Sequence, residues 1–274
     1  MKWTSEAEGA VSNVPFFIRK RVKKRVEEEA ERQGSLLVTL DHVQTCQQRF
    51  LQNMDQEVKG FQVEACFGPS GCPNAVAVDP DLVQKLEEKL DQRNLKSFLK
   101  EKVKSPLKLH HEFRVSLSTC PNACSRPQIV DFGIIGALRP RISDEPCTLC
   151  GACREACQEK AIALEEEPAQ PVIDFDRCLS CGQCLKVCPT GTLQEGKKGY
   201  RVLLGGKLGR HPQLGKELAG IHSEEELLRA LDRTLDHYQK YNQKGERLGE
   251  VLKHHRMGKL SSDHSVTWDG GLDI

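Results

Sequence analysis

Thirteen cysteines in 274 residues carry the obvious chemistry of this chain, and twelve of them stand in spacings that a metal could use. Cys66-x5-Cys72 forms one clip and Cys120-x3-Cys124 a second, with a long stretch between them. Each clip touches a Cys-Pro-Asn triplet, Cys72-Pro73-Asn74 and Cys120-Pro121-Asn122. An iron–sulfur cluster needs four soft thiolates from chain segments that the fold brings together, and two such clips supply them. Paired zinc knuckles use Cys-x2-Cys instead. Buried small hydrophobes are the alternative reading of these four thiols, but buried thiols follow no spacing rule. Further on, Cys147-x2-Cys150-x2-Cys153-x3-Cys157 and Cys178-x2-Cys181-x2-Cys184-x3-Cys188 repeat one spacing, which neither zinc sites nor disulfide frameworks obey. Four thiols in the clips and eight in the runs would serve three four-iron clusters. Cys46 has no partner in sequence and reads as a core residue, because unpaired thiols are among the most buried side chains.

The elements that must position these thiols follow from pattern. Residues 14–30 read as a helix with a proline in the first turn, Gly34 past its end, and Ile18, Val22, Val26 and Ala30 at four-residue steps. Its other face holds six positive charges between Arg19 and Arg25, read either as solvated surface or as an anion-facing patch. Thr39 should cap a second helix in which Val43, Cys46 and Phe50 share a face. Asp79-Pro80-Asp81 should open a helix carrying Leu82, Leu86 and Leu90. Residues 111–118 alternate polar and apolar as a half-buried strand leading into the second clip, and a further strand at about 129–135 leads away. Short apolar strands are expected near 161–164 and 172–175, between the two cysteine runs. Ser223-x-x-Glu226 is a capping box for a helix bearing Leu227, Leu228, Leu231 and Leu235, and a last helix runs from Gly245 to near Gly258. The fold class is α+β.

Length suggests about two domains. The net charge of +1 argues against nucleic acid as main partner. No run of roughly 18 apolar residues exists for a membrane span, and the first residues lack a signal-peptide core. Cysteines in metal spacings fit a reducing cytoplasm, where disulfides are rare.

The two clips, continued by Ser125-Arg126-Pro127 and the apolar run from Ile129, resemble the sirohaem-[4Fe-4S] signature of the sulfite and nitrite reductase family, particularly its anaerobic and dissimilatory sulfite reductases. The resemblance implies that Cys66, Cys72, Cys120 and Cys124 hold a cluster and that Cys124 bridges it to sirohaem iron. Residues 199–212 are similar to that family's closing motif, a strand entering a glycine-rich turn that presents Lys207 and Arg210. Sirohaem is rimmed with carboxylates, so Arg114, Arg126, Lys207 and Arg210 are candidates to bind them or substrate oxygens. His110, His111 and His211 are proton-donor candidates by type, with a structural role as the alternative.

The repeated runs are those of a bacterial two-cluster ferredoxin. Its crossover rule groups Cys147, Cys150 and Cys153 with Cys188, and Cys178, Cys181 and Cys184 with Cys157. The first forty-five or so residues resemble the C-terminal domain of the light-independent protochlorophyllide reductase B subunit. Taken together, these resemblances imply a basic helical segment at 1–52, a sirohaem reductase domain with mixed sheet in two parts at 53–140 and 193–260, a ferredoxin insert at 141–192, and a loose tail at 261–274. The function implied is reduction of sulfite to sulfide, or of nitrite to ammonia, with electrons from reduced ferredoxin or another donor protein entering through the insert. A homo-oligomer is a further expectation. The runner-up is an electron-transfer or sirohaem-binding subunit that needs a partner chain.

Overall fold

The structure, a computed structural model, describes residues 1–12, 14, 16–52, 58–77, 79–255 and 257. The chain divides into two compact units, Met1–Val58 with Ser105–Leu109, and Lys59–Lys104 with everything from His110 onward.

In the first unit a short parallel pair, β1 (Lys2–Trp3) and β2 (Leu37–Val38), accompanies α1 (Ser5–Ser12), α2 (Phe16–Arg32) and α3 (Leu40–Gln52). Ala7, Val26, Ala30 and Val38 form its core, with Trp3, Val22, Val43 and Cys46 packed against them, so Cys46 sits where its apolar stripe put it. The side chains of Ile18 and Phe50 lie outside the described residues. At the start of α3 the His42 ring serves Thr39: the Thr39 N–H donates to His42 Nδ1 at 3.0 Å, and its hydroxyl lies 2.9 Å from the same nitrogen. Two members of the basic run are spent locally. Arg19 donates to the carbonyls of Ser12 and Val14, and Lys23 lies 5.2 Å from the Trp3 ring centre. Lys20, Arg21 and Lys24 are exposed.

The second unit is built on a five-stranded mixed sheet. Its strands are β3 (Phe61–Ala65), β4 (Phe113–Ser118), β5 (Phe132–Ile142), β8 (Leu193–Leu204) and β9 (Lys216–Glu217), in that spatial order. The first three run parallel; β8 is antiparallel to both β5 and β9. The helices are α4 (Leu82–Gln92), α5 (Leu95–Lys102), the short α6 (Ala152–Ala156) and α7 (Gln183–Val187), α8 (Glu224–Tyr241) and α9 (Leu248–His254). A separate hairpin, β6 (Ile162–Glu166) with β7 (Ala169–Ile173), lies between the cysteine runs.

Period-two alternation decides which sheet face is apolar. Phe61, Phe113, Val115, Leu117, Phe132, Ile134, Val202 and Leu204 point one way and meet Leu82, Leu86 and Leu90 of α4 and Leu227, Leu231 and Leu235 of α8 in a single core. Ion pairs then tie the two helices together: Lys85 joins Asp79 at 2.8 Å to Glu224 at 2.6 Å, Lys89 reaches Asp232 at 2.5 Å, and Arg93 holds Asp232 and Asp236. Both halves of the Ser223–Glu226 capping box are made.

Three expectations change. Strand β4 is not half-buried, since Ser116 and Ser118 on its polar side are also fully covered. Strand β5 extends seven residues beyond 135, because its antiparallel partner β8 supplies hydrogen bonds as far as Ile142. The last helix starts at Leu248 rather than Gly245, since Asn242 holds Gly245 and Glu246 in a turn through their N–H groups. Gly258 and the 261–274 tail lie outside the described residues.

His222 pairs its backbone with Tyr200 of β8, while its ring is buried and Nε2 has no partner among the described residues. Burial pushes its pKa below the usual value; Glu226 and Glu217 oppose this and Lys197 adds to it. The unfolded chain therefore takes up a proton at a pH where the folded chain does not, so stability falls as pH drops below about 6.5. Denaturant midpoints for His222→Gln should accordingly show a flatter pH dependence between about pH 7 and 5 than those of the parent chain.

Candidate metal centre

Strands β3 and β4 are parallel neighbours in register Ala65↔Leu117, so Cys66 and Thr119 leave the same sheet edge side by side. The first clip is stitched to the second by backbone: Cys66 N–H donates to Leu117 O at 2.9 Å, and Val76 N–H to Thr119 O at 3.0 Å. Cys66 Sγ accepts from the N–H groups of Thr119 and Gly68, each at 3.3 Å, with the Thr119 hydroxyl at 3.5 Å. Burial opposes charge on Cys66, but these hydrogen bonds outweigh it and hold the thiol below its ordinary pKa. Gly68 is required here, since a Cβ would lie 1.7 Å from Thr119 Oγ1. Cys120 is buried, and its pKa is raised first by burial and then by the charges of Cys72, Cys124 and Cys66. Cys72, Cys124 and Cys66 thus each act electrostatically on Cys120. Cys124 is the exposed member.

The loop from Thr119 to Asp131 folds back over the polar face of β4. Ser116 donates to Ser125 O at 2.6 Å, the Ser118 and Ser125 hydroxyls lie 2.7 Å apart, and Ser125 donates to Leu117 O at 2.7 Å. At its far end buried Asp131 accepts from the N–H groups of Arg114 and Leu248 and pairs with Arg247 at 2.8 Å. Sequence reasoning missed Ser116, Ser118, Ser125 and Asp131. The available signal was the serines on the polar phase of β4, read as facing solvent.

Of the candidate cations, Arg114 is half-buried, and its Nε finds no partner among the described residues. Arg126, 70% exposed, lies 3.9 Å from Glu64. Lys207 is buried, and its ammonium is committed to Glu250, which also takes Lys253 at 3.3 Å. Arg210 and His211 are exposed on the same turn. That turn packs on the exit of the second clip: Gly215 N–H donates to Gln128 O at 2.7 Å, and a Cβ on Gly206 would come within 2.3 Å of that same oxygen. The rings of His110 and His111 are 4.2 Å apart.

Between β5 and β8 the eight remaining thiols fall into two groups. A cavity of about 400 Å³ is walled by Cys157, Cys178, Cys181 and Cys184, and Cys120 of the second clip reaches the same cavity. A much smaller one, about 10 Å³, is walled by Cys147, Cys150, Cys153 and Cys188. These are the two crossover groupings. Cys153 and Cys184 share a core with Ile162 and Leu193, which places the runs back to back. Burial, and then the charges of Cys181, Cys178, Cys153 and Cys157, push the Cys184 thiol up to about 12. Backbone N–H groups point at the sulfurs: Ala161 donates to Cys157 at 3.3 Å, Leu149 to Cys147 at 3.4 Å and Leu193 to Cys188 at 3.5 Å. Soft donors in sets of four, ringed by N–H groups, match the needs of an iron–sulfur cluster.

Comparison with known proteins adds identity to this geometry. The family described as "Nitrite and sulphite reductase 4Fe-4S domain" matches residues 61–264. A second, "Proto-chlorophyllide reductase 57 kD subunit", matches residues 3–46. The Coenzyme F420-dependent sulfite reductase of Methanocaldococcus jannaschii is 32% identical over 198 residues, covering 72% of this chain and 29% of that protein. An anaerobic sulfite reductase subunit of Salmonella typhimurium is 30% identical over 183 residues, 65% of this chain and 53% of its own. The dissimilatory-type sulfite reductase subunit beta of Nitratidesulfovibrio vulgaris is 27% identical over 164 residues, 53% of this chain and 43% of its own. The chain thus spans about half or less of the length of each of these relatives.

Ser125→Ala tests how the second clip is held. The buried Ser118 hydroxyl and the Leu117 carbonyl each lose a partner, so unfolding free energy should drop by about 1–3 kcal/mol. Iron retained per chain after anaerobic gel filtration should drop with it, and retention at the parent level would show that the clip does not depend on this anchor.

Proposed function

The chain belongs to the nitrite and sulphite reductase 4Fe-4S domain family, and from that premise we propose that it is a sirohaem- and iron–sulfur-dependent reductase acting on sulfite, with nitrite as the second choice of substrate. The observation that carries this reading is the side-by-side exit of the Cys66 and Cys120 clips from parallel neighbours β3 and β4, joined through Thr119. Cys66, Cys72, Cys120 and Cys124 would hold a [4Fe-4S] cluster, and Cys124, the exposed one, would be shared with sirohaem iron. When bound, the clusters carry electrons singly, and the sirohaem iron is where the small oxyanion is reduced.

The protein's own part is positioning and charge. Arg114 carries a buried Nε without a partner among the described residues, which suits an anionic group, and Arg126 and Arg210 offer exposed guanidinium groups to carboxylates or substrate oxygens. Lys207 is the weakest of the four candidates, since its ammonium already answers Glu250; its evident work is to brace the glycine-rich turn. His110, His111 and His211 stay candidates for proton delivery by residue type alone.

The segment at 141–192 serves as a ferredoxin-like insert, with one cluster on Cys147, Cys150, Cys153 and Cys188 and another on Cys157, Cys178, Cys181 and Cys184. The second set shares a cavity with Cys120, which supports an order of travel from the first set through the second to the clip. Electrons enter from reduced ferredoxin or another donor protein in the cytoplasm. The division into reductase parts at 53–140 and 193–260 belongs to the same reading.

One observation favours a second reading, in which the chain completes its sirohaem site with a partner chain. Phe67, beside Cys66, is 74% exposed, an apolar side chain left open next to the clip.

Anaerobic purification from cells that make sirohaem distinguishes the two. The self-sufficient enzyme should show isobacteriochlorin bands, release about one sirohaem per chain and carry about thirteen irons, three four-iron clusters plus one. Cys124→Ser should alter both the tetrapyrrole and cluster spectra, whereas Cys66→Ser should act first on the cluster. About twelve irons and no extractable tetrapyrrole until a partner is co-expressed would select the second reading.

A further inference from the structure

The clip borders the larger thiol cavity through Asn74, Cys120, Pro121 and Asn122. Leu138 of β5 packs with Val76 and Cys120 in a small apolar group, and Leu185 of α7 closes it from the other side. Leu138 also anchors the cysteine-rich segment through its backbone, since its N–H donates to Ser180 O at 2.7 Å and it bridges Cys181. From α7, Lys186 Nζ reaches past the joint to Pro73 O, 3.1 Å away, next to Cys72. Leu185 and Lys186 follow Cys184 directly, and Pro73 follows Cys72 directly, so each contact is made by a close chain neighbour of a thiol. Cys120 is buried in this joint, and Cys124, which is not part of it, is exposed. The clip thus has an inner and an outer thiol.

We propose that Leu138 and Leu185, with the Lys186–Pro73 hydrogen bond, form the joint that presses the Cys157/Cys178/Cys181/Cys184 site against Cys120, so that electrons enter the clip on its Cys120 side. This rests on the cluster assignments above. In the step itself the Cys157 site is oxidised by one electron and the clip is reduced by one; no bond breaks and no proton moves. The electron is replaced by an external low-potential donor protein. Leu138 and Leu185 are positioning residues here. Their apolar contact excludes water from the gap and fixes its width, and transfer between fixed centres depends on both. Lys186 adds a hydrogen bond across the joint.

The joint is testable in the full-length, anaerobically purified protein. Leu185→Ala and, separately, the surface change Lys186→Gln should leave iron content at the parent level. In samples reduced to successive extents, the broadening of the EPR signals that two neighbouring reduced clusters impose on each other should be lost in Leu185→Ala and weakened in Lys186→Gln. Leu185→Met, which keeps the volume, should restore it. Stopped-flow re-oxidation of the insert after addition of sulfite should slow several-fold in Leu185→Ala, while KM for sulfite stays unchanged. Fully loaded Leu185→Ala and Lys186→Gln proteins with parent-like broadening and re-oxidation would overturn the joint and leave the cluster assignments standing. Parent protein with no iron in the 141–192 segment would overturn both.

Discussion

Everything at the metal centre depends on one constraint, the parallel pairing of β3 with β4. Parallel neighbours deliver their C-terminal ends to the same sheet edge, and the register Ala65↔Leu117 brings Cys66 beside Thr119. Thr119 then acts as the fastener between the clips. Its N–H and hydroxyl face Cys66 Sγ, and its carbonyl accepts from Val76 and Ala77. A slip of one residue in this pairing would turn the Phe113–Val115–Leu117 face out of the core. Core packing and clip geometry are therefore enforced by the same register.

The sheet's second face is finished by an unusual means. A loop rather than a helix covers β4, and loops bury polar backbone groups that need partners. Ser116, Ser118 and Ser125 supply some of those partners, and Asp131 gathers the N–H groups of Arg114 and Leu248 together with the Arg247 guanidinium. The clip that carries Cys124 is thus held through satisfied hydrogen bonds, with its outer thiol left open to the surface. Such networks are unforgiving of single losses, since each unpaired buried group costs its full desolvation energy.

The long β5–β8 pair has a related task. It carries the 143–192 segment outward and lets that segment fold back until Leu185 meets Leu138. At Cys184, burial and the neighbouring thiols both oppose an ionised thiolate and push its pKa up to about 12. Cations at the centre of such a set remove both penalties at once, which is the physical logic of metal uptake by buried cysteines.

What the residues alone determined is local. Cysteine spacing within a clip or run reflects the reach of a few bonds, the Leu82–Leu86–Leu90 stripe follows from helical period, and the Ser223–Glu226 box closes within four residues; each is found where it was expected. The separation of the eight cysteines into two groups was also legible, because the repeated spacing carries a crossover rule. Tertiary structure decided whatever depended on partners remote in sequence. Whether Ser116 faces water depended on a loop that could have lain elsewhere, and the length of β5 on a strand fifty residues later. Lys207 reads as a free cation until Glu250 arrives from α9. Spacing does not say which clip thiol is covered; the packing of Val76, Leu138 and Leu185 buries Cys120, while Cys124 stays exposed. Period and spacing encode which groups a segment can offer; the charge, burial and neighbours those groups finally meet are set by long-range contacts that no local pattern contains.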